Sequence, residues 1–180
     1  MKRKEFKTIG EYFYWLYANM SMAHVALKNN HTSYEMLDYM IRSKLYKGLC
    51  NGTMNIQSLY LDEKDKLNNL QCCYCGKDEK LTLDHLVPKY LGGEDTGDNL
   101  VYSCQHCNSS KNNKDLIVWY AMNNDIPPIL VLRRYLKLAF FSFESLGVLE
   151  LPFSELENYT TIYLINLLPY EFPQPILLRL

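Results

Sequence analysis

The sequence has no surplus of charge of either sign: 19 Lys and Arg stand against 20 Asp and Glu, leaving a net charge of −1 over 180 residues. A chain that grips a polyanion by bulk attraction carries a clear positive excess. Here such binding needs basic residues clustered in space, or a partner that supplies it. An apolar leader is also missing: Met1-Lys2-Arg3-Lys4 runs into mixed residues. No secretory signal is therefore expected, and the reducing cytoplasm is the expected compartment. There are no repeats and no low-complexity tracts. The most apolar stretch, near residues 129–146, is interrupted by Arg133, Arg134 and Lys137, so no membrane span is expected. At this length one compact domain with a real core is possible.

What the chain does have is a spacing of cysteines. Of Cys50, Cys72, Cys73, Cys75, Cys104 and Cys107, four form two C-x2-C knuckles, Cys72/Cys75 and Cys104/Cys107, with 28 residues between them. Thiolates three positions apart on a tight turn converge on one ion, and two such turns complete a tetrahedron for Zn²⁺. Cys73 lies too close to Cys75 for the usual knuckle, which leaves Cys50 and Cys73 as ordinary small residues. Two disulfides are the competing reading, and a reducing compartment argues against them.

A knuckle pair alone is a staple for a small fold. Its contents go further. Leu81-Thr82-Leu83 alternates as a strand and delivers Asp84 and His85 at its end. Gly92-Gly93-Glu94-Asp95-Thr96-Gly97-Asp98 is dense in turn formers and reads as a loop. Asn99 leads into a second strand, Leu100-Val101-Tyr102. After Cys107 the chain turns helical, with Leu116, Trp119, Tyr120 and Asn123 at helical spacing.

In order, Cys72 to Gly76, Asp84 to Pro88, Gly92-Gly93, Asn99-Leu100 and Cys104 to Lys111 resemble an HNH endonuclease domain of the zinc-stapled kind, over about a quarter of the chain. Such ββα-metal fingers occur in restriction, homing and phage endonucleases and in the nuclease lobes of some CRISPR effectors. The final His of the family name is here Asn108. That exchange replaces a nitrogen ligand by an amide oxygen, which suits hard Mg²⁺ or Mn²⁺. The resemblance implies an α+β fold, a zinc-bound ββα-metal core embedded in a mainly helical chain. Its expected organisation is a helical segment at 1–70, a nuclease core at 71–125, and a helical segment with a tail at 126–180.

The resemblance implies roles as well. His85 is the expected general base, being the only side chain of the core that titrates near neutrality. Asp84, on the other side of the strand end, and Asn108 become the ligands of a catalytic Mg²⁺ or Mn²⁺, with substrate and water filling the remaining positions. Asn99 holds the imidazole or the loop. Lys111 either approaches the phosphate or is simply solvated. His106 is expected to face solvent or DNA, and Tyr74 to pack the knuckle. The implied activity is metal-dependent cleavage of DNA, RNA not being excluded, with a protein partner supplying specificity. The alternative is a catalytically silent zinc module that binds nucleic acid or docks a partner.

The flanks read as helices. Residues 9–28 form an amphipathic helix behind a Thr8/Glu11 capping box. Phe13, Leu16, Met20 and Leu27 line it, thickened by Tyr12, Tyr14, Trp15 and Tyr17 as core. Thr32 and Glu35 repeat the pattern before a second helix with a Leu37, Met40, Ile41, Leu45 stripe and a stop at Gly48. Asp62 to Leu70 suggests a short third helix. Pro127-Pro128 start another, whose apolar residues Leu132, Tyr135, Leu136, Ala139, Phe140, Phe143 and Leu146 leave Arg133, Arg134 and Lys137 on the opposite side. That basic trio is either a solvated face or a grip on DNA phosphates. The Pro-rich apolar tail packs on the body or meets a partner.

Overall fold

The computed structural model describes residues 4–56 and 70–180. All but the last residue of the expected Asp62–Leu70 helix lies outside them. The fold is mixed, as expected: helices surround one small antiparallel sheet.

Helix α1 (Ile9–Lys28) is the central beam. Thr8 caps it by accepting from the Glu11 amide at 3.1 Å. The Glu11 carboxylate takes the Lys7 amide at 2.7 Å, one residue before the position that a closed capping box uses. Burial extends around most of its circumference because three layers cover it. Helix α2 (Met36–Cys50) lies on one side, a long helix from the C-terminal third on another, and the tail closes a third. Phe13 meets Phe140 and Phe143 edge-on, with centroids 5.7 and 5.0 Å apart. Burying rings of this size supplies most of the driving force here.

Helix α2 departs from its expected form. Its cap is Glu35 paired with Asp38, three residues beyond Thr32. Asp38 is buried because it also takes the His31 ring at 2.9 Å. The helix packs on α1, with Ile41 and Leu45 half-buried and Leu45 against the core, while Leu37 and Met40 point outward, 65% and 57% exposed. The expected stripe therefore straddles the edge of the buried face. Gly48 does not stop the helix. It lies within it, where a Cβ would come within 2.7 Å of the Met54 side chain.

The sheet pairs β1 (Leu81–His85) with β2 (Leu100–Cys104), with Leu81 opposite Cys104 and His85 opposite Leu100. Helix α3 (Gln105–Lys111) follows without a break, so Cys107 lies inside its first turn and not ahead of it. Helix α4 (Leu116–Met122) is capped by Asp115, which accepts from Ile117 and Val118 amides. The other oxygen of Asp115 accepts from the Tyr135 hydroxyl at 2.6 Å, tying α4 to helix α5 (Ile129–Ser145).

Helix α5 corrects the expected basic face. Arg133, Arg134 and Lys137 are 4%, 5% and 1% exposed. The Arg133 guanidinium meets the His24 ring at 2.6 Å, and Arg134 donates to the carbonyls of Asp98 and Gly97 at 2.6 and 2.9 Å. The period read from the sequence was real, but α5 is covered on its polar side too. Its charges are spent on internal partners, as buried charges must be. The tail does pack on the body. Tyr170 accepts from the Trp15 indole at 3.0 Å, and the Arg179 carbonyl takes the Ile129 amide at 2.9 Å. Among the described residues no helix is long and apolar enough to cross a membrane.

Candidate active site and metal centre

The four knuckle cysteines come together. Their sulfurs all lie within 4.8 Å of one another, and Cys75 Sγ stands 3.7 Å from Cys104 Sγ. A tetrahedron with Zn–S bonds of 2.3 Å has S···S edges of about 3.8 Å, so the donor set fits Zn²⁺. Local backbone sets this up. The Gly76 amide closes the first turn onto the Cys72 carbonyl, and the Cys73 amide docks that turn on Tyr102 of β2. Cys104 caps α3 by accepting from the Cys107 amide at 3.4 Å. Electrostatics favour a cation here. Burial opposes ionisation of Cys104, yet the Cys107 amide and the neighbouring thiols outweigh it and bring the group down to about 7. Burial and the Cys104 contact push Cys107 well up. Such a set carries four thiolates only with positive charge at its centre. Cys73 has its thiol raised by burial and stays outside the cluster, as does exposed Cys50.

In the same finger, Asp84, His85 and Asn108 line one open concavity of about 450 Å³ together with Pro88, Lys89 and Tyr90. Strand alternation separates the first two: Asp84 is buried and His85 half-buried. Asp84 Oδ2 accepts from the Tyr74 hydroxyl at 2.7 Å and pairs with Lys111 Nζ at 3.0 Å. Lys111 also donates to the His85 carbonyl at 2.7 Å. Asn108 donates its amide hydrogens to Thr82 Oγ1 at 2.9 Å and to the Leu83 carbonyl at 3.4 Å, which leaves its oxygen as a donor to a cation.

Lys111 is therefore not a phosphate contact or a solvated side chain. It is fully buried, because Asp84 and the end of β1 offer it two acceptors beneath the concavity. Asn99 holds the loop and not the imidazole. Its oxygen takes the Val87 amide at 2.8 Å, while its nitrogen donates to the Val87 and Glu94 carbonyls. Gly93 permits this closure, since a Cβ there would lie 1.9 Å from the Val87 carbonyl oxygen. The closed loop presents Asp95, whose Oδ1 meets His85 Nε2 at 2.8 Å while Oδ2 takes Lys89 Nζ at 2.5 Å. Lys89 first, and then His85, hold the Asp95 carboxyl below its ordinary range. His106 is exposed, as expected.

Tyr74 and Asp95 escaped the sequence reading. Tyr74 looked like knuckle packing, and packing is half of its role: Trp119 lies edge-on at 5.1 Å. Asp95 stood among turn formers, where a carboxylate is unremarked. Its position ten residues after His85 on a loop closed by Asn99 was the available signal.

Residues 72–114 match the family model described as HNH endonuclease. The resemblance thus holds over this stretch and supports a nuclease at the level of the family. A CRISPR-associated endonuclease Cas9 from Corynebacterium diphtheriae is 39% identical over 67 residues, 35% of this chain. The chain spans only 6% of that relative. No solved structure matches the chain.

Proposed function

We propose that the chain is a metal-dependent endonuclease that hydrolyses phosphodiester bonds of DNA. The observation that carries this reading is the convergence of Asp84, His85 and Asn108 on one open concavity in the same finger as the thiolate centre. His85 is the general base. With Asp95 on Nε2, the lone pair at Nδ1 is the one left to take a proton from water. The water oxygen attacks phosphorus as its proton passes to His85, the bond to the leaving oxygen breaks, that oxygen takes a proton from solvent water, and His85 returns its proton to solvent. Asp84 and Asn108 offer oxygen donors of the kind that Mg²⁺ or Mn²⁺ takes. Such an ion supplies charge stabilisation at the phosphate and leaving oxygen. Structural Zn²⁺ at Cys72, Cys75, Cys104 and Cys107 keeps the finger folded.

Substrate grip comes from elsewhere. Net charge is −1, and Lys111, Arg133, Arg134 and Lys137 are buried. We therefore assign specificity to a protein partner, with the chain acting as the nuclease subunit of a bacterial or phage restriction or defence system in the cytoplasm. Affinity capture from the native source identifies that partner.

The activity test is nicking of supercoiled plasmid with Mg²⁺ or Mn²⁺, with and without EDTA. His85→Ala should lose about 10²–10⁴-fold in rate while keeping its zinc and its nucleic-acid binding. Cleavage by His85→Ala at the wild-type rate would overturn the assignment of the base.

A further inference from the structure

We infer that Tyr74 and Lys111 are specificity-determining residues: they hold Asp84 as a one-oxygen ligand and so favour a small octahedral cation over Ca²⁺. This rests on the proposed role of Asp84 as a ligand and goes beyond it.

Both donors act on one atom. The Tyr74 hydroxyl and Lys111 Nζ reach Asp84 Oδ2 at 2.7 and 3.0 Å. Among the described residues no hydrogen bond reaches Oδ1, and Asp84 lines the concavity with His85 and Asn108. The two oxygens of this carboxylate are therefore unequal. One belongs to the protein interior and the other to the site.

The donors cannot easily let go. Tyr74 is 2% exposed and Lys111 is 0% exposed, so water does not replace either contact. Trp119 stacks edge-on against the Tyr74 ring, and the Tyr120 hydroxyl holds the Tyr74 carbonyl at 3.2 Å. Lys111 spans from Asp84 to the His85 carbonyl, fixing both ends of the Asp-His step. Breaking a buried pair of this kind leaves an uncompensated charge, which is strongly unfavourable.

Each arm also issues from a zinc knuckle. Tyr74 directly precedes Cys75, and Lys111 stands one helical turn after Cys107 on α3. The thiolate centre thus sets the carboxylate's orientation as well as the finger's stability.

Cation chemistry gives the consequence. Ca²⁺ gathers 6–8 oxygens and readily takes a carboxylate through both. Mg²⁺ demands near-octahedral geometry, keeps several waters and is served by single carboxylate oxygens. With Oδ2 engaged from below, two-oxygen chelation by Asp84 is denied, and the larger ion loses a ligand that the smaller one does not need.

The test uses the full zinc-loaded chain without DNA. Mn²⁺ binding is followed by the electron paramagnetic resonance of the free ion, and bound Mn²⁺ is then displaced by Ca²⁺ or by Mg²⁺. Wild type should bind Mn²⁺ and Asp84→Ala should not. Tyr74→Phe removes one oxygen from the protein and should raise the effectiveness of Ca²⁺ relative to Mg²⁺ several-fold. Lys111→Met should raise it further. General loosening of the site weakens all three ions alike and leaves the ratio unmoved. An unchanged ratio in Tyr74→Phe with its zinc retained overturns the inference, whether or not Lys111→Met folds. Absence of Asp84-dependent Mn²⁺ binding in wild type would overturn both this inference and the metal-ligand role beneath it.

Discussion

The finger at residues 72–111 and the helices around it both bury charged side chains, but they bury them toward different ends. In the finger, Lys111 and Tyr74 converge on Asp84, a group that faces the concavity. In the helices, Arg133 ends on His24, and Arg134 on two loop carbonyls that it braces from the side of α5. The means of cohesion overlap only in part. One apolar core takes in Phe13, Phe140 and Phe143 from the helices and Tyr74, Leu86 and Val101 from the finger, and the finger carries a two-stranded sheet and a thiolate centre as well. A buried charge is thus not a signature of function by itself. What distinguishes the finger is that its buried cation points at a carboxylate with one oxygen left over.

Removing the zinc should separate the two regions most sharply. Cys104→Ser, or chelation, removes a contribution on the order of 10 kcal/mol from the finger. Residues 72–114 should then become protease-sensitive, cleavage should vanish, and the far-ultraviolet helical signal should largely persist. Loss of all helical signal in a single step would show that finger and helices are one cooperative unit.

Phe13→Ala strikes the other region. It removes a fully buried ring from contact with Phe140 and Phe143 and should cost about 3–5 kcal/mol by urea denaturation. Zinc stoichiometry below the transition should stay at that of wild type. Zinc loss before helix melting would reverse the expected independence.

Arg134→Met tests the join between the regions. The guanidinium clamps Asp98 and Gly97 of the finger loop, so its loss should cost about 1.5–3 kcal/mol. The salt dependence of DNA binding should not change, because the side chain is buried. A fall of about one unit in the log–log slope would show that it reaches phosphate.

The smallest effect is expected at Asp95. Lys89 and His85 depress its carboxyl below its ordinary 3.8. A depressed acid stabilises the fold above its unfolded pKa, and the contribution disappears as pH falls through the folded value. Wild type and Asp95→Asn should therefore differ slightly above pH 3.8, begin to converge as pH falls below it, and meet once the folded value has been passed; the difference is small because the group is exposed. Thermal melts across this range check it. The same variant should slow cleavage modestly at neutral pH, because His85 loses its orienting partner.

What could be read from the sequence followed from spacing. Cys72, Cys75, Cys104 and Cys107, the Asp84-His85 step and Asn108 are fixed by local turns and strand alternation; the cysteines cluster, and the other three line one concavity. What could not be read depends on which surface another element covers. Arg133, Arg134 and Lys137 looked solvent-facing because α5 alone is amphipathic, and only tertiary packing shows its polar side covered. Leu37 and Met40 looked like core because they share a stripe with Ile41 and Leu45, and only the packing on α1 shows that the buried face stops short of them. Lys111 looked like a phosphate contact because its two acceptors lie 26 and 27 positions away in the chain.

The hairpin register has a consequence for zinc binding. Cys75 and Cys104 stand 29 positions apart, and closing a loop of that length costs a free chain about (3/2)RT ln n, roughly 3 kcal/mol. In the folded chain the Leu81–Cys104 pairing holds the two knuckles together, so ion and sheet divide that cost between them. Each therefore tightens the other: a change that weakens β1–β2 pairing should weaken zinc affinity, and removing zinc should weaken the pairing.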